Sequence, residues 1–186
     1  ESYARDYFAR SKADFARGNY QCAASDALES LRLDNNNADT WIHYGNTMFA
    51  QVNPGEAEKA YRQAAQLRPH DAGIWNNLGV AYEQRHDYTN AIHAYGRALN
   101  EDASHYKALI NLTILELRSR RPDRAALLLA RLNTMKESRT DASAWCARAF
   151  MEHNPRYLET ARQLDSNTAF EVMTLLEQTT ITNMVQ

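Results

Sequence analysis

The residues of this 186-residue chain with the widest chemical reach are six histidines, two cysteines and 23 carboxylates. His43, His70, His86, His93, His105 and His153 could ligate a metal or move protons near neutral pH. Their spacing supports neither role. No HExxH is present, and His86 and His93 flank a stretch that reads as a turn, a poor geometry for converging on one ion. Cys22 and Cys146 form neither CxxC nor CxxCH. No GxxxxGK or GxGxxG is there to cradle a phosphate, and no serine, histidine and acid stand out as a set. No metal, no cofactor and no catalytic residue is expected, so the chain reads as a non-enzyme. The amides carry a different chemistry. Asn77 and Asn111 are 34 residues apart, and His43 lies a further 34 upstream. A carboxamide both donates and accepts. A row of amides at constant spacing can therefore hydrogen-bond the backbone of an extended chain with little demand on its sequence.

The same 34-residue step runs through the apolar positions. It relates Trp41 to Trp75, Gly45 to Gly79, Ala57 to Ala91, Tyr61 to Tyr95 and Ala64 to Ala98. A third copy continues it with Leu109, Leu112, Ala125, Leu129 and Leu132, and a weaker one precedes it with Tyr7, Ser11, Ala23, Ala27 and Ser30. Ala91, Tyr95, Ala98 and Leu99 share one helix face. Gly45, Gly79, Ala57 and Ala91 let helix backbones approach, while Trp75, Tyr82 and Tyr95 fill the larger gaps. Asp71 and Asp39 are placed to cap helices. Pro54 and Pro122 fall where a turn or a first helical turn belongs. A lone helix pair cannot bury its apolar face, so the copies must stack.

The best copy runs from Ala72 to His105. It holds Trp75-Asn76-Asn77-Leu78-Gly79-Val80-Ala81-Tyr82, then Ala91, Tyr95 and Ala98-Leu99. It resembles the tetratricopeptide repeat, a helix–turn–helix unit with the pattern W-x2-L-G-x2-Y and A-x3-F. The resemblance implies an all-α, right-handed superhelix in one domain, residues 1–186. Its repeats would span about 4–37, 38–71, 72–105, 106–139 and 142–168, with a capping helix over 169–186. Trp145 and Ala161 re-enter the register only if about two residues are inserted near Glu137-Ser138-Arg139, and Pro155 then sits in a turn. The cap would use Phe170, Met173, Leu176 and Ile181, and Thr179–Thr182 is a weak helix former. Cys22 and Cys146 would lie many helix layers apart, too far for a disulfide, and both read as small packing residues.

Members of this family bind peptides and proteins. By that resemblance the first helix of each repeat lines a concave groove. The partner-binding residues would be Phe8, Lys12 and Phe15, then Ile42, His43, Asn46 and Phe49, then Asn76 and Asn77, then Lys107, Ile110, Asn111 and Ile114. Val80, Glu83 and Leu117 share those faces. The amides resemble the asparagine ladders of some members, although they could instead hold neighbouring helices together. The tail helix could also cover part of the apolar face. Co-chaperone members clamp a carboxylate. Asn46, Asn77 and Lys107 match that clamp, but Ile42 and Asn111 stand where its first lysine and its arginine belong. The irregular style is similar to bacterial members that assemble pili or other envelope machines, often as lipoproteins. A regulatory domain of a larger enzyme and a co-chaperone-like module are the alternatives.

Composition sets the outer limits. A formal net charge of −2 makes no electrostatic case for nucleic acid. No apolar run approaches the ~20 residues of a membrane span. The chain begins at Glu1 with no initiator Met, which is compatible with a removed leader or a lipid anchor upstream, and the bacterial envelope is slightly favoured over the cytoplasm. Asn111-Leu112-Thr113 matches a glycosylation acceptor but falls inside a helix, so it reads as chance. Arg118, Arg120, Arg121 and Arg124 cluster at a turn, either as a solvated turn or as a contact for an acidic partner or lipid headgroups.

Overall fold

Four residues in left-handed backbone conformation cut the chain at the 34-residue step. They are Gly18, Val52, His86 and Arg120, with φ of 79°, 57°, 60° and 55°. After each, the next N–H reaches back five residues. Asn19 bonds the Asp14 carbonyl, Asn53 that of Met48, Asp87 that of Tyr82 and Arg121 that of Glu116, each at 2.9 Å. This bond ends a helix and reverses the chain. Asn53 and Asp87 then cap the following helix through their side chains, accepting from Glu56 N–H at 3.3 Å and Asn90 N–H at 3.2 Å. Only the first site has the residue that this conformation favours. Val52 is β-branched and 80% exposed, so nothing packs to hold it there. Val52→Gly is expected to raise stability by about 1 kcal/mol, read as a shift in the urea midpoint at unchanged slope.

The computed structural model describes residues 2–152 and 155–182, and among them every regular element is helical. The helices are Ser2–Ala16 (α1), Tyr20–Leu33 (α2), Ala38–Ala50 (α3), Pro54–Leu67 (α4), Ala72–Gln84 (α5), Tyr88–Glu101 (α6), Tyr106–Arg118 (α7), Pro122–Thr134 (α8), Ala142–Glu152 (α9), Pro155–Leu164 (α10) and Ser166–Thr182 (α11). The chain divides into two compact units, one ending at Ala103 and the other beginning at Ser104. The first holds three antiparallel helix pairs, α1 to α6. The second holds the pairs α7/α8 and α9/α10, with α11 packed on both helices of the last pair and on α7. The two aligned prolines, Pro54 and Pro122, open helices rather than sit in turns, where a missing N–H costs nothing. Pro155 likewise begins α10.

Within the first unit, glycine makes room for a ring. A Cβ on Gly45 would lie 2.5 Å from Tyr61 Cε1, and one on Gly79 would lie 2.5 Å from Tyr95 Cε1. The two tyrosines are buried, and each hydroxyl finds a partner. Tyr61 donates to Asn46 Oδ1 at 2.7 Å and Tyr95 to Glu83 Oε2 at 2.8 Å. Glycine here admits an aromatic side chain rather than a second backbone. Between the second and third pairs, Ala64, Ala65 and Ile74 form a buried cluster, with Trp41, Ile42 and Trp75 packed against it. Glu58 ties the same two pairs together. It is buried on α4, pairs with Arg62 at 2.8 Å and with Arg85 at the end of α5, and Arg62 in turn donates to Tyr82 Oη.

The tryptophans mark the register directly. Trp41 Nε1–H donates to the Asn35 carbonyl at 2.9 Å, and Trp75 Nε1–H to that of Pro69 at 2.8 Å. Trp145 makes the same bond six residues back, to Arg139 at 3.1 Å. A 3-10 turn, Glu137–Arg139, occupies the site where the sequence needs two extra residues. Buried Arg148 holds that turn. Its guanidinium donates to Asn133 Oδ1 at 2.6 Å, to Ser138 Oγ at 3.0 Å and to the Ser138 carbonyl at 3.3 Å, and it stacks 4.5 Å from the Trp145 ring.

Three sequence expectations change here. Asn37, not Asp39, caps α3, accepting from Thr40 N–H at 3.1 Å, while Asp39 pairs with Arg68 at 2.8 Å. Cys22 is exposed because it points away from the stripe of α2 that is buried, Ala23, Ala24, Ala27, Ser30 and Leu31. Cys146 is buried as expected, and burial pushes its thiol up to about 11. The covering face of α11 is Ala169, Val172 and Leu176, whereas Phe170 is 72% exposed. The α11 backbone is helical through Thr182. His153 and residues 183–186 of the expected cap lie outside the described residues, as does the side chain of Ile181.

Candidate functional site

Among the described residues no three His, Cys, Asp or Glu side chains converge to hold a metal ion. The histidines have local duties instead. His105 Nδ1 caps α7 by accepting from Ala108 N–H at 3.2 Å, His70 bonds Glu101 at 2.9 Å and His86 bonds Tyr88 Oη at 3.0 Å. His43 is different, because it sits among the residues expected to bind a partner.

Helix α1 presents Phe8, Ser11, Lys12 and Phe15 at helical spacing along one stripe. His43 of α3 meets that stripe. Its ring lies edge-on to Phe8 at 5.6 Å and to Phe15 at 5.4 Å. Its Nε2 is 2.9 Å from Ser11 Oγ. The single Ser11 hydroxyl proton goes to the Ala23 carbonyl at 2.6 Å, so Nε2–H must donate to Ser11, and Nδ1 is the nitrogen left to titrate. Burial lowers its pKa from the ordinary 6.5 and Lys12 lowers it further, against the opposing bond to Ser11. Lys12 is exposed, with Nζ 4.6 Å from the centre of the Phe8 ring.

This geometry has a consequence for pH. With the folded pKa below the unfolded one, the unfolded chain takes up the proton first as pH falls. The stability His43 contributes is full above its unfolded pKa and is lost as pH drops through the folded value. Urea midpoints measured from pH 7.5 to 5 should fall more steeply for the wild type than for His43→Gln. Parallel curves would remove His43 as the cause.

The rest of the first unit's stripe divides between packing and exposure. Ile42 leans on the Ala64–Ile74 cluster. Asn46 is half-buried, and its Oδ1 is engaged by Tyr61, which leaves its N–H2 to offer a ligand. Phe49 and Val80 are half-buried. Asn77 is half-buried, and its Oδ1 accepts from Asn76 Nδ2 at 3.4 Å. Asn76 itself is only 5% exposed, so it does not line an accessible face. Glu83 on α5 is committed to Tyr95 through one oxygen. The α1 and α3 positions of the stripe thus combine aromatic edges, amide N–H donors and one lysine, with no carboxylate among them.

In the second unit, α7 carries the equivalent positions. Lys107 is exposed, and Asn111 and Ile114 are half-buried. Ile110, at 6% exposure, is buried, as is Leu117, so neither offers its side chain to a ligand. α11 is one neighbour of α7 in this unit.

Ser11 was missed as part of the site. Its register was visible, since it stands where Gly45, Gly79 and Thr113 recur. A serine in a row of small residues reads as a space-saver, and only the structure shows it orienting His43.

Comparison with known proteins agrees with this architecture. The sequence profile of the tetratricopeptide repeat family matches residues 45–106 and 78–149. Protein bimA of Emericella nidulans is 31% identical over 86 residues, 46% of this chain, and the chain spans 11% of that relative's length. The pilF protein of Pseudomonas aeruginosa has a similar fold, with a TM-score of 0.71, 19% identity and coverage of 94% of this chain and 77% of that one. YrrB, described as a tetratricopeptide protein with an unusual peptide-binding site, superposes with a TM-score of 0.67 and 16% identity over 90% of each chain. With more than half its residues inside the matched spans, and with the helix pairs, glycine–tyrosine contacts and indole bonds recurring at the repeat step, this chain belongs to the tetratricopeptide repeat family.

Proposed function

We propose that this chain is a non-catalytic scaffold that holds an extended or helical segment of a protein partner against its first-helix face. The observation that carries this reading is the cluster around His43. Phe8 and Phe15, edge-on to His43, are only half-buried, with Lys12 on the Phe8 ring and half-buried Asn46 and Phe49 farther along α3. Partly exposed aromatics of this kind serve as anchors, and the amides add backbone hydrogen bonds of low sequence demand. Asn111 and Ile114 on α7 offer a like face in the second unit. The family match and the fold shared with a peptide-binding protein support the same reading.

Assembly of a bacterial pilus or envelope machine, with an envelope location, is the finer proposal. Its support is the style of the Ala72–His105 repeat and the fold shared with pilF. A carboxylate clamp is disfavoured, because Ile42 and Asn111 stand where two of its cations belong and supply no charge. Affinity capture from the source organism's extract, with solubilised envelope included, tests the reading. Phe15→Ala should weaken capture of a groove partner by about 30-fold, the effect of an anchor worth about 2 kcal/mol. Asn77→Ala/Asn111→Ala should reduce the same partner. Equal capture by both variants would contradict the groove reading.

A further inference from the structure

We propose that the outward face of α8, with the arginine turn that starts it, docks an acidic amphipathic segment of a protein partner. This goes beyond the first-helix reading and stands or falls separately from it. Three observations lead to it.

The first is an apolar side left open. α8 buries only Ala125, Leu129 and Leu132, whereas α4 buries six residues. Leu127 is 71% exposed, Ala126 and Ala130 are exposed, and Leu128 is half-buried. At the register of Leu127, α4 carries Lys59 and α6 carries His93, as a solvated helix face should.

The second is a local excess of positive charge. Between Glu116 and Arg131 there are five arginines against two carboxylates, in a chain of net charge −2. Arg120, Arg121 and Arg124 stand at the N-terminal end of α8, where the helix dipole makes cations unfavourable. An anion brought to this end of α8 would meet both the dipole and the guanidiniums.

The third is pre-organisation. Glu116 is buried, with Oε2 3.6 Å from Arg121 Nη1 and Oε1 3.6 Å from Arg124 Nη1. Its Oε2 has no hydrogen-bond partner. One carboxylate therefore holds two guanidiniums at the head of the exposed Ala126, Leu127 and Ala130 side and leaves a positive excess facing outward. An apolar stripe with cations at one end complements a segment with leucines on one face and carboxylates beside them.

Fluorescence anisotropy tests the proposal with a labelled helical peptide bearing a leucine stripe flanked by glutamates. Its glutamine and lysine counterparts, and phosphatidylserine–phosphatidylcholine vesicles, form the other arms. The glutamate peptide should bind about tenfold more tightly than the glutamine peptide at low salt, as expected for a few screened ion pairs, and added salt should close the gap. Leu127→Ser should weaken binding about tenfold at unchanged melting temperature, because an exposed leucine contributes to the interface and not to the fold. Arg120→Gln should weaken it with a shallower salt dependence, and Leu28→Ser, an exposed leucine of the other unit, should change nothing. Equal binding of the glutamate and glutamine peptides would overturn the proposal. So would a Leu127→Ser protein that binds normally, or capture of the vesicles without the peptide.

Discussion

Gly79→Ala should lose about 2 kcal/mol of stability, although alanine is the better helix former. The added methyl would lie 2.5 Å and 2.6 Å from Tyr95 Cε1 and Cδ1. The Tyr95 ring is fully buried and its hydroxyl is bonded to Glu83, so it has no room to swing away. Overpacking of this kind costs about 1–3 kcal/mol and occasionally more, against a gain of about 1 kcal/mol in helix propensity. The next repeat shows the remedy, since it places Thr113 and Leu129 at the same two positions, both buried. Gly79→Thr with Tyr95→Leu should therefore be more stable than Gly79→Thr alone. Urea unfolding followed by circular dichroism measures all three. A Gly79→Ala midpoint equal to the wild type would show that the ring is not fixed.

Arg148→Ala should cost about 3 kcal/mol. The change opens a cavity beside Trp145 and leaves the Ser138 carbonyl and Asn133 Oδ1 without their donor. Burial lowers the guanidinium's pKa, so the group is held against a desolvation penalty by these bonds and by the ring. Arg148→Met keeps the stem and should cost less. Lys136→Ala, an exposed change immediately before the Glu137–Arg139 turn, should stay within about 0.5 kcal/mol of wild type. Thermal melts of the three variants make the comparison, and an Arg148→Ala melt like that of Lys136→Ala would remove Arg148 as the clamp of the Glu137–Arg139 turn.

Much of the fold was legible because the repeat step is written in residues of unusual size. Glycine at 45 and 79 against tyrosine at 61 and 95 is a volume exchange that survives in the sequence, and the tryptophans carry the register across the insertion before Ala142. What was not legible depends on which way a helix is turned. Cys22 and Phe170 have the composition of packing residues but fall on outward stripes. Asn76 and Ile110 lie one position off the half-buried Asn77 and Asn111, a rotation of about 100° that register alone does not resolve. Asp39 has the right type for a cap but stands two residues inside the helix that Asn37 caps. The site was partly legible for the same reason. Phe8, Phe15 and His43 could each be assigned to a stripe, while the Ser11 bond that fixes the imidazole tautomer needs the distance to Ala23.

Photo-crosslinking from defined positions tests the central claim most directly. A benzophenone side chain at Lys12 or Phe49 on the first-helix face, and at Lys59 or Arg32 on second helices, would be irradiated in source extract. The predicted result is a partner band from positions 12 and 49, abolished by Phe15→Ala, with none from 59 or 32. A partner that crosslinks from 59 or 32 and not from 12 or 49 would contradict the account and place binding on the second helices.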